Sequence, residues 1–492
     1  MKSSRRDFIR QLGVLSSGIF IPSTIFSKST TGYTKFKSNL KYISVRGVVQ
    51  CEGKPVKNVI VSDGLSVFKT DEYGEFNFLT NSNQDFVFIT TPPGFKVNTD
   101  KNSLASFYFR IDQAKEKLEL KFELEKVEES DTNHSFLLLA DPQIMDDADT
   151  RLFYDQTIPD VKNTILSLKD KNLFGVSCGD IVYDRMELFP DYIKGVEKTG
   201  IPFFQVLGNH DCVTSALSDK LSATAFQKHF GPRYYSFDRG EIHYVVLDNV
   251  FWFKGYIGYI DDIQLEWLQN DLAFVEKGKT VVVFSHIPVF TRSNIRNKIN
   301  ELPRTVSTVN RALLYELLSP YKSYLIAGHM HELEMLNDSG CEIHICGAVC
   351  GAWWTAPISH DGSPNGYMIY NISGSQLRWT YKSTNFPLSH QIKIHKLENK
   401  LLANIWAFQD SWTVSYYVNG EKIGSPSRVL EKDPDAIKYF EGSEIPEKHK
   451  WIEPVFTDHL FEVNLNNLRK NDKVTIEATN QFGDIFTESI VI

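Results

Sequence analysis

The sequence has few of the features that mark disulfide-built, membrane-embedded or nucleic-acid-binding proteins. Only 6 of its 492 residues are cysteines, too few for a disulfide-built scaffold. After the first thirty residues, no stretch is apolar and long enough to span a membrane. The formal net charge of −8 argues against a nucleic-acid-binding protein, which would usually carry a basic face. It leaves an anionic substrate open, because bound metal cations can dominate the local field.

The few cysteines are unevenly placed. Cys341, Cys346 and Cys350 are close in sequence, so two of them could form one bridge in an oxidising compartment, although the pairing cannot be assigned. Cys178 and Cys212 flank polar turns and are expected to pack as small apolar groups.

Residues 1–30 are predicted to be an export signal rather than part of the fold. Arg5 and Arg6 lie in a segment that resembles the twin-arginine signal, and a moderately apolar stretch follows over residues 12–26. Serine, glycine and proline interrupt that stretch, which makes it a poor membrane span. No Ala-x-Ala pattern marks a cleavage point. We therefore expect a protein exported to the periplasm or cell envelope; the alternative is a basic tail without a targeting role.

Three domains are predicted to follow the signal. Residues 41–125 read as short strands between glycine and proline turns, which indicates a β-sandwich resembling transthyretin-like or carboxypeptidase-regulatory domains. Residues 133–385 alternate strands with helical segments, which predicts an α/β (α+β) core of two packed mixed sheets flanked by helices. Residues 386–492 return to strands and predict a second β-sandwich, in which the polar stretch 433–450 is expected to be a loop.

Polar residues follow five apolar runs of the central region. The runs are short, which is typical of buried strands, and they cover residues 136–140, 173–178, 201–207, 280–285 and 324–327. The polar residues that follow them are Asp141, Gln143, Asp180, Asn209, His286, His329 and His331. Because ligands of open α/β sheets lie beyond the carboxyl ends of the strands, these side chains are expected to meet in a metal site.

This mixture of ligands favours a particular chemistry. Carboxylate, amide and imidazole donors suit Mn, Fe or Zn rather than a thiolate-bound ion, and one bridging carboxylate would let them hold two metals. Two divalent or mixed-valence ions about 3.5–4 Å apart clamp the attacking and leaving oxygens of an in-line displacement and acidify a bridging water. Hydrolysis of a phosphate ester is the reaction that most needs this arrangement, because charge develops on several oxygens at once.

The ordered motifs resemble those of the calcineurin-like metallophosphoesterase superfamily, exported bacterial members of which carry similar β-rich flanks. The motifs are Asp141-x-Gln143, Gly179-Asp180, Gly208-Asn209-His210-Asp211, His286 and Gly328-His329-x-His331. The resemblance implies a first metal held by Asp141, Gln143, Asp180 and His331. It implies a second metal held by Asp180, Asn209, His286 and His329.

The resemblance also implies the catalytic roles. Asp180 would bridge the two ions, and a hydroxide between them would be the nucleophile. His210 would not bind metal, since the matching histidine of the family contacts the phosphate and assists the leaving group. Asp184 and Asp211 are expected to orient these groups without binding metal themselves.

Gln143 departs from the commoner family pattern. The first motif usually reads Asp-x-His, whereas a glutamine stands at this position here. An amide oxygen is a weaker, neutral donor than an imidazole nitrogen, so the first metal is expected to be the more weakly bound of the two.

Substrate selection is expected to come from loops outside the motifs. Trp353 and Trp354 offer an aromatic platform for a sugar or base leaving group, with a packed β-bulge as the alternative. Arg292 follows His286 and could pair with phosphate, or be a solvated loop charge.

Two functions from different classes fit these observations. The first is an exported enzyme with a binuclear metal centre that hydrolyses a small phosphomonoester or phosphodiester, such as a sugar, nucleotide or lipid phosphate. The second is a glycan- or envelope-binding protein on an inactive phosphoesterase scaffold. The complete set of ligands, together with His210, favours the enzyme, because an inactive descendant should have lost some of them.

Overall fold

The N-terminal strands form two small sheets. The computed structural model, which describes residues 40–492 except 169–171, 443–444 and 467, has these strands here: β1 (Tyr42–Cys51), β2 (Lys54–Pro55), β3 (Ile60–Ser62), β4 (Val67–Lys69), β5 (Glu75–Asn81), β6 (Phe86–Thr90), β7 (Tyr108–Arg110) and β8 (Lys117–Glu123). β1 pairs with β2, β5 and β8, and the second sheet has the order β4-β3-β6-β7. Phe76 and Phe78 are buried at alternate positions of β5, as expected where only one face meets a core.

The central region contains two larger mixed sheets. Its strands are β9 (Asn133–Leu139), β10 (Phe174–Cys178), β11 (Phe203–Val206), β12 (Tyr235–Arg239), β13 (Ile242–Val246), β14 (Val250–Trp252), β15 (Tyr256–Gly258), β16 (Thr280–Phe284), β17 (Lys322–Ala327), β18 (Glu334–Asp338), β19 (Cys341–Ile345), β20 (Gly366–Ser373) and β21 (Gln376–Ser383). The sheets have the orders β11-β10-β9-β20-β21 and β12-β13-β16-β17-β19-β18. The first sheet has three parallel strands followed by two antiparallel ones, and the second has a parallel centre with an antiparallel strand at each edge. Both sheets are therefore mixed, which confirms the predicted fold class.

Helices flank the two sheets. Those of the central region are α1 (Asp147–Leu152), α2 (Ile158–Leu168), α3 (Phe189–Glu197), α4 (Asp219–Ser222), α5 (Thr224–Phe230), α6 (Asp262–Leu272), α7 (Ser293–Arg296) and α8 (Arg311–Leu318). A π-helical segment, Phe153–Thr157, joins α1 to α2. α1 begins after Asp146, whose side chain accepts from the amides of Ala148 and Asp149 and so caps the helix.

Burial on both faces explains why the parallel strands are mostly apolar. Phe136 of β9 stacks on Tyr370 with ring centroids 4.4 Å apart and meets Tyr244 of the six-stranded sheet edge-on at 5.8 Å. Leu137 and Leu139 of the same strand pack instead with apolar residues of α2 and α3. Because successive side chains of a strand point to opposite faces, consecutive residues of β9 from Phe136 to Leu139 are all apolar.

The C-terminal region forms a sandwich of two four-stranded sheets. Its strands are β22 (Ile392–Lys396), β23 (Lys400–Ile405), β24 (Thr413–Val418), β25 (Glu421–Gly424), β26 (Ser427–Lys432), β27 (Phe456–Asn464), β28 (Lys473–Thr479) and β29 (Ile485–Val491). The orders are β22-β23-β27-β26 and β25-β24-β28-β29. Ile405 and Phe461 of the first sheet share one apolar cluster with Ile476 of the second, so the sheets pack face to face.

The polar stretch 433–450 was wrongly predicted to be only a loop. It contains helix α9 (Pro434–Phe440), whose first amides donate to the side chain of Asp433. Proline is well suited to the first turn of a helix, because its missing amide would have no partner there. Ala436 and Phe440 are buried against the loop that contains Ile358. Two buried side chains are too few to give a periodic apolar pattern, but the Asp-Pro pair was a start signal for a helix.

Three further expectations have different outcomes. All six cysteines are buried and unpaired, so the structure contains no bridge among Cys341, Cys346 and Cys350. Residues from Tyr42 to Ile492 cluster as one unit, and the proposed boundaries of domains 41–125, 133–385 and 386–492 stay predictions. The export signal lies outside the described residues. Among the residues that the structure describes, no helix combines the length and apolar character that a membrane span requires.

Candidate metal centre

The seven predicted ligands lie in the turns that follow β9, β10, β11, β16 and β17. Five of the seven have a left-handed backbone, with φ between 40° and 71°: Asp141, Gln143, Asp180, His329 and His331. This conformation costs energy for residues other than glycine, and it persists only where surrounding contacts hold it. Backbone strain that recurs in three neighbouring turns is typical of a functional site, where it fixes the orientation of the side chains.

Two glycines allow these turns to lie against each other. A Cβ atom at Gly208 would lie 1.9 Å from the backbone nitrogen of Asp180, and one at Gly328 would lie 2.5 Å from Oδ2 of Asp141. Either contact would force the turns apart. The glycines before Asn209 and His329 are therefore required by the close approach of the turns.

Each of the three histidines is oriented by a backbone carbonyl. His286 donates from Nδ1 to the carbonyl of Cys178 at 3.0 Å, His329 from Nε2 to Thr305 at 2.9 Å, and His331 from Nδ1 to Gly351 at 2.6 Å. One nitrogen of each ring is thereby committed as a donor, and the other keeps its lone pair. This is how metal-binding histidines are held in proteins, with the tautomer set by the hydrogen bond behind the ring.

The carboxylate of Asp180 lies between two groups of ligands. Its Oδ1 is 3.2 Å from Nε2 of His286, and its Oδ2 is 2.7 Å from Nε2 of Gln143. Oδ1 also accepts a hydrogen bond from the backbone amide of His210 at 2.8 Å. The two oxygens therefore face different neighbours, as a bridging carboxylate requires.

On the Oδ1 side, four side chains converge. Nε2 of His286 is 3.1 Å from both Oδ1 of Asn209 and Nδ1 of His329, and Asp180, His286 and His329 have ligand atoms within 4.8 Å of one another. Ligands about 2.1 Å from a metal and at right angles to each other lie about 3.0 Å apart, so this spacing fits one coordination sphere. The lone pairs of His286 and His329 would repel each other at 3.1 Å unless a proton or a metal ion lay beside them.

On the Oδ2 side, two buried atoms lack a hydrogen-bond partner. They are Oε1 of Gln143 and Nε2 of His331, and the latter lies 3.6 Å from Oδ1 of Asp141. Leaving a buried polar atom unpaired costs free energy, so each calls for a partner. A half-turn of the Gln143 amide would exchange Nε2 for Oε1 beside Asp180. Carboxylate, amide oxygen and imidazole nitrogen are donors that suit a divalent cation.

The protonation preferences of the buried carboxylates and histidines in this cluster also favour a bound cation. Burial raises the pKa of Asp141 to about 8, so its carboxylate needs a positive neighbour to stay ionised at neutral pH. Burial lowers the pKa of His329 and of His331 to about 3, which keeps both rings neutral, as metal binding requires. Burial works against a charge on His286 as well, but Asp180 outweighs it and raises the pKa of His286 to about 9. A bound metal would supply that positive charge in place of the proton.

His210 lies beside the cluster, and its ring contacts Asp184 and Tyr183. Its Nδ1 is 3.0 Å from Oδ1 of Asp184, and its ring stacks on Tyr183 with centroids 4.0 Å apart. Burial opposes protonation of His210, but the negative charges of Asp180 and Asp184 outweigh it and raise its pKa. Asp211 accepts from the amides of Val182 and Gly208 and thus ties two of the turns together.

The predicted substrate residues lie in different places. Trp353 stacks on His331 with centroids 4.0 Å apart and planes at 13°, which places it directly against the candidate metal centre. The indole of Trp354 donates to the carbonyl of Pro142 at 2.9 Å and so holds the first motif. The amide of Arg292 donates to Glu334 at 3.1 Å, and its guanidinium lies 3.8 Å from Asp410. The structure therefore brings Trp353 to the cluster, while the contacts described for Arg292 are with other residues.

The sequence analysis did not identify one segment that lies beside this site. The segment contains Lys448, His449 and Trp451 and belongs to the C-terminal region. The ring of His449 lies 5.6 Å from that of Tyr183, and Trp451 meets Trp353 at 4.6 Å. Lys448 binds both carboxylate oxygens of Asp149 at 2.7 Å. The only local signal was a histidine and a tryptophan near the end of an otherwise polar stretch.

One cavity lies away from the cluster. Its volume is about 840 Å³, and the residues that line it include Asp63, Phe86, Arg233 and Trp252 but none of the seven candidate ligands. It lies between the N-terminal sheets and the helices of the central region. Because none of the candidate ligands line this cavity, we do not assign the catalytic reaction to it.

Sequence profiles assign the chain to a family. Residues 134–333 match the calcineurin-like phosphoesterase domain, residues 43–127 match the N-terminal companion domain of that family, and residues 343–486 match its C-terminal companion. No protein with a curated description matches the chain significantly. The chain therefore belongs to the calcineurin-like phosphoesterase family and is a metallophosphoesterase, an enzyme that hydrolyses phosphate esters with the help of metal ions.

Three solved structures are similar to parts of this chain. A dimetal phosphatase from Danio rerio is 14% identical, with 56% of this chain and 96% of that chain covered and a TM-score of 0.35. A purple acid phosphatase from yellow lupin (Lupinus luteus) seeds is 11% identical, with 69% and 56% covered and a TM-score of 0.37. A 5'-nucleotidase from Candida albicans is 11% identical, with 50% of each chain covered and a TM-score of 0.30. Similarity at this level says nothing about the substrate of this chain.

Proposed function

We propose that the chain hydrolyses phosphate esters at a binuclear metal centre bridged by Asp180. The observation that carries this proposal is the position of that carboxylate, with His286 at 3.2 Å from one oxygen and Gln143 at 2.7 Å from the other. One ion would be held by Asp141, Gln143, Asp180 and His331, and the other by Asp180, Asn209, His286 and His329. Two divalent or mixed-valence ions of Mn, Fe or Zn fit these donors.

The chain's own residues would perform the remaining steps. Two bound ions would supply charge stabilisation for the phosphate oxygens and acidify water. The three histidines stay fixed because each donates to a backbone carbonyl. His210, whose Nδ1 is held by Asp184 and whose backbone amide donates to Asp180, would contact the phosphate and give a proton to the leaving group.

The substrate class is a small phosphorylated molecule. A phosphomonoester and a phosphodiester would use the same ligands, and sugar, nucleotide and lipid phosphates all fit the proposal. The alternative, a glycan- or envelope-binding protein without activity, is disfavoured because all seven candidate ligands and His210 are present. Two of the ligand atoms are also buried and unpaired, a cost that a mere binding scaffold has no reason to keep.

Hydrolysis should depend on bound metal. We expect the purified protein to hydrolyse p-nitrophenyl phosphate or bis-p-nitrophenyl phosphate, to lose that activity on exhaustive chelation, and to regain it with Mn²⁺ or a similar ion. A panel that adds nucleotides and sugar phosphates would then define the substrate. Binding of a glycan without hydrolysis of any ester would favour the alternative, and activity that survives in metal-free protein would overturn the proposal.

We also propose that residues 1–30 direct export of the protein to the periplasm or cell envelope. The support is the pair Arg5-Arg6 ahead of a moderately apolar stretch. Changing both to lysine, Arg5→Lys with Arg6→Lys, should keep the protein in the cytoplasm, because the signal is read as paired arginines. Cell fractionation measures this, and unchanged export would refute the twin-arginine assignment.

A further inference from the structure

Six aromatic side chains form a continuous series beside the candidate metal centre. His331 stacks on Trp353 at 4.0 Å, Trp353 meets Trp451 at 4.6 Å, and Trp451 meets His449 at 5.6 Å. His449 lies 5.6 Å from Tyr183, which stacks on His210 at 4.0 Å. We call these six residues the aromatic wall.

Both ends of the aromatic wall contact residues of the metal cluster. At one end, Nε2 of His331 lies 3.6 Å from Oδ1 of Asp141. At the other end, the backbone amide of His210 donates to Asp180. A phosphate held between these ends would therefore place the rest of its ester next to the middle of the wall.

The middle of the wall comes from the C-terminal region. His449 and Trp451 lie between α9 and β27, whereas the other four members belong to the turns and loops around the metal cluster. Lys448 fixes the segment, since its ammonium contacts both oxygens of the buried Asp149 at 2.7 Å and Asp146 at 3.2 Å. These aspartates lie at the start of α1, a few residues after Asp141 and Gln143.

Packing alone does not account for Trp451. The apolar contacts of this region are made by Ala436 and Phe440, which are buried with Ile452. Trp451 is 55% exposed, and it meets Trp353 with the two ring planes at 68°. Its contact with Trp353 is thus an edge contact rather than a stack, and more than half of the side chain stays accessible. An exposed indole beside a polar site is suited to stacking against a flat ligand group.

We propose that Trp451 and His449 select substrates whose leaving group contains a ring, by stacking against it. This rests on the proposed function, because it presumes that the phosphate lies at the metal cluster. The class of substrate is then a phosphate ester of an aromatic or sugar ring, in preference to an ester of a short open-chain alcohol. If so, the C-terminal region contributes to substrate recognition, while the central region carries the metal site.

The test compares two substrates with one variant. For Trp451→Ala, kcat/KM should fall about 10- to 100-fold on p-nitrophenyl phosphate, the range that corresponds to one stacking contact. On glycerol 2-phosphate, which has no ring, it should change by less than about threefold. Trp451→Phe, which keeps a ring, should recover most of the loss. Tyr73→Ala removes another exposed aromatic residue, 72% exposed and in the N-terminal region, and should change neither rate.

Metal content and thermal unfolding are measured for each variant. These measurements distinguish a change in substrate selection from a loss of bound metal or of folded structure. Equal losses on both substrates, or no loss on either, would overturn the inference. If Trp451→Ala does not fold, His449→Ala should show the same selective loss and decides the matter. If the unaltered protein hydrolyses neither substrate nor any other phosphate ester, the proposed function itself fails, which is a result distinct from a failure of selection.

Discussion

Asp180→Asn should release both metal ions and abolish hydrolysis. Its two oxygens face different ligand groups, Gln143 on one side and His286 on the other, so the loss of one charge weakens both proposed sites. Metal stabilisation of a phosphoryl transition state is worth several kcal/mol, so we expect kcat/KM to fall by about 10³-fold or more. Elemental analysis after dialysis, together with hydrolysis of p-nitrophenyl phosphate, measures both effects.

Gln143→Ala is the matched control for that change. It removes a ligand from one proposed site only, so one ion should be lost while Asp180, Asn209, His286 and His329 keep the other. Gln143→His should restore or raise occupancy of the first site where the imidazole reaches, because imidazole is the stronger donor. An Asp180→Asn protein that keeps two ions and full activity would contradict the bridging role. If the Gln143→Ala protein keeps two ions and full activity, then Gln143 does not bind metal and has another role.

His210→Ala should have the opposite signature, with both metal ions kept and kcat lowered by about 10²–10⁴-fold. Its ring is held by Asp184 and Tyr183, and only its backbone amide reaches Asp180, so the substitution removes no proposed ligand. The expected loss is that of a general acid or of a group that stabilises the charge of the phosphate. Steady-state kinetics and metal analysis on the same preparation measure both quantities.

His229→Ala provides the control for that substitution. His229 lies on α5 and packs near Phe189, away from the seven candidate ligands, so its loss should leave kcat and metal content unchanged. Should His210→Ala lose metal in proportion to activity, the ring of His210 would be a ligand and its assigned role would be wrong.

The strand-end positions of the candidate ligands could be predicted because short-range patterns encode them. Each parallel strand is largely buried on both faces and is therefore mostly apolar, so the polar residues in the turn after it stand out. The motif glycines are readable for a similar reason, since Gly208 and Gly328 occupy places where a Cβ atom would meet Asp180 or Asp141. The sequence did not reveal the left-handed backbone conformation that orients these side chains, which has positive φ at five of the seven residues.

The contribution of the C-terminal region could not be predicted, because it depends on contacts across the whole chain. Lys448 and Asp149 are 299 residues apart in sequence, and no local pattern relates a lysine in a polar stretch to an aspartate of α1. Helix α9 was missed because only Ala436 and Phe440 of its residues are buried, which gives no periodic apolar pattern. In the same way, the position of Arg292 beside Asp410 follows from how the C-terminal strands pack, which its place after His286 does not reveal.

The central claim is that two metal ions share Asp180 at the ends of the parallel strands. Crystals of the protein grown with Mn²⁺, measured at the absorption edge of manganese, test it most directly. We expect two anomalous peaks about 3.5–4 Å apart, one on each side of the Asp180 carboxylate. One peak should contact Gln143 and His331, and the other His286 and His329. A single peak, or two peaks that do not share Asp180, would contradict the account.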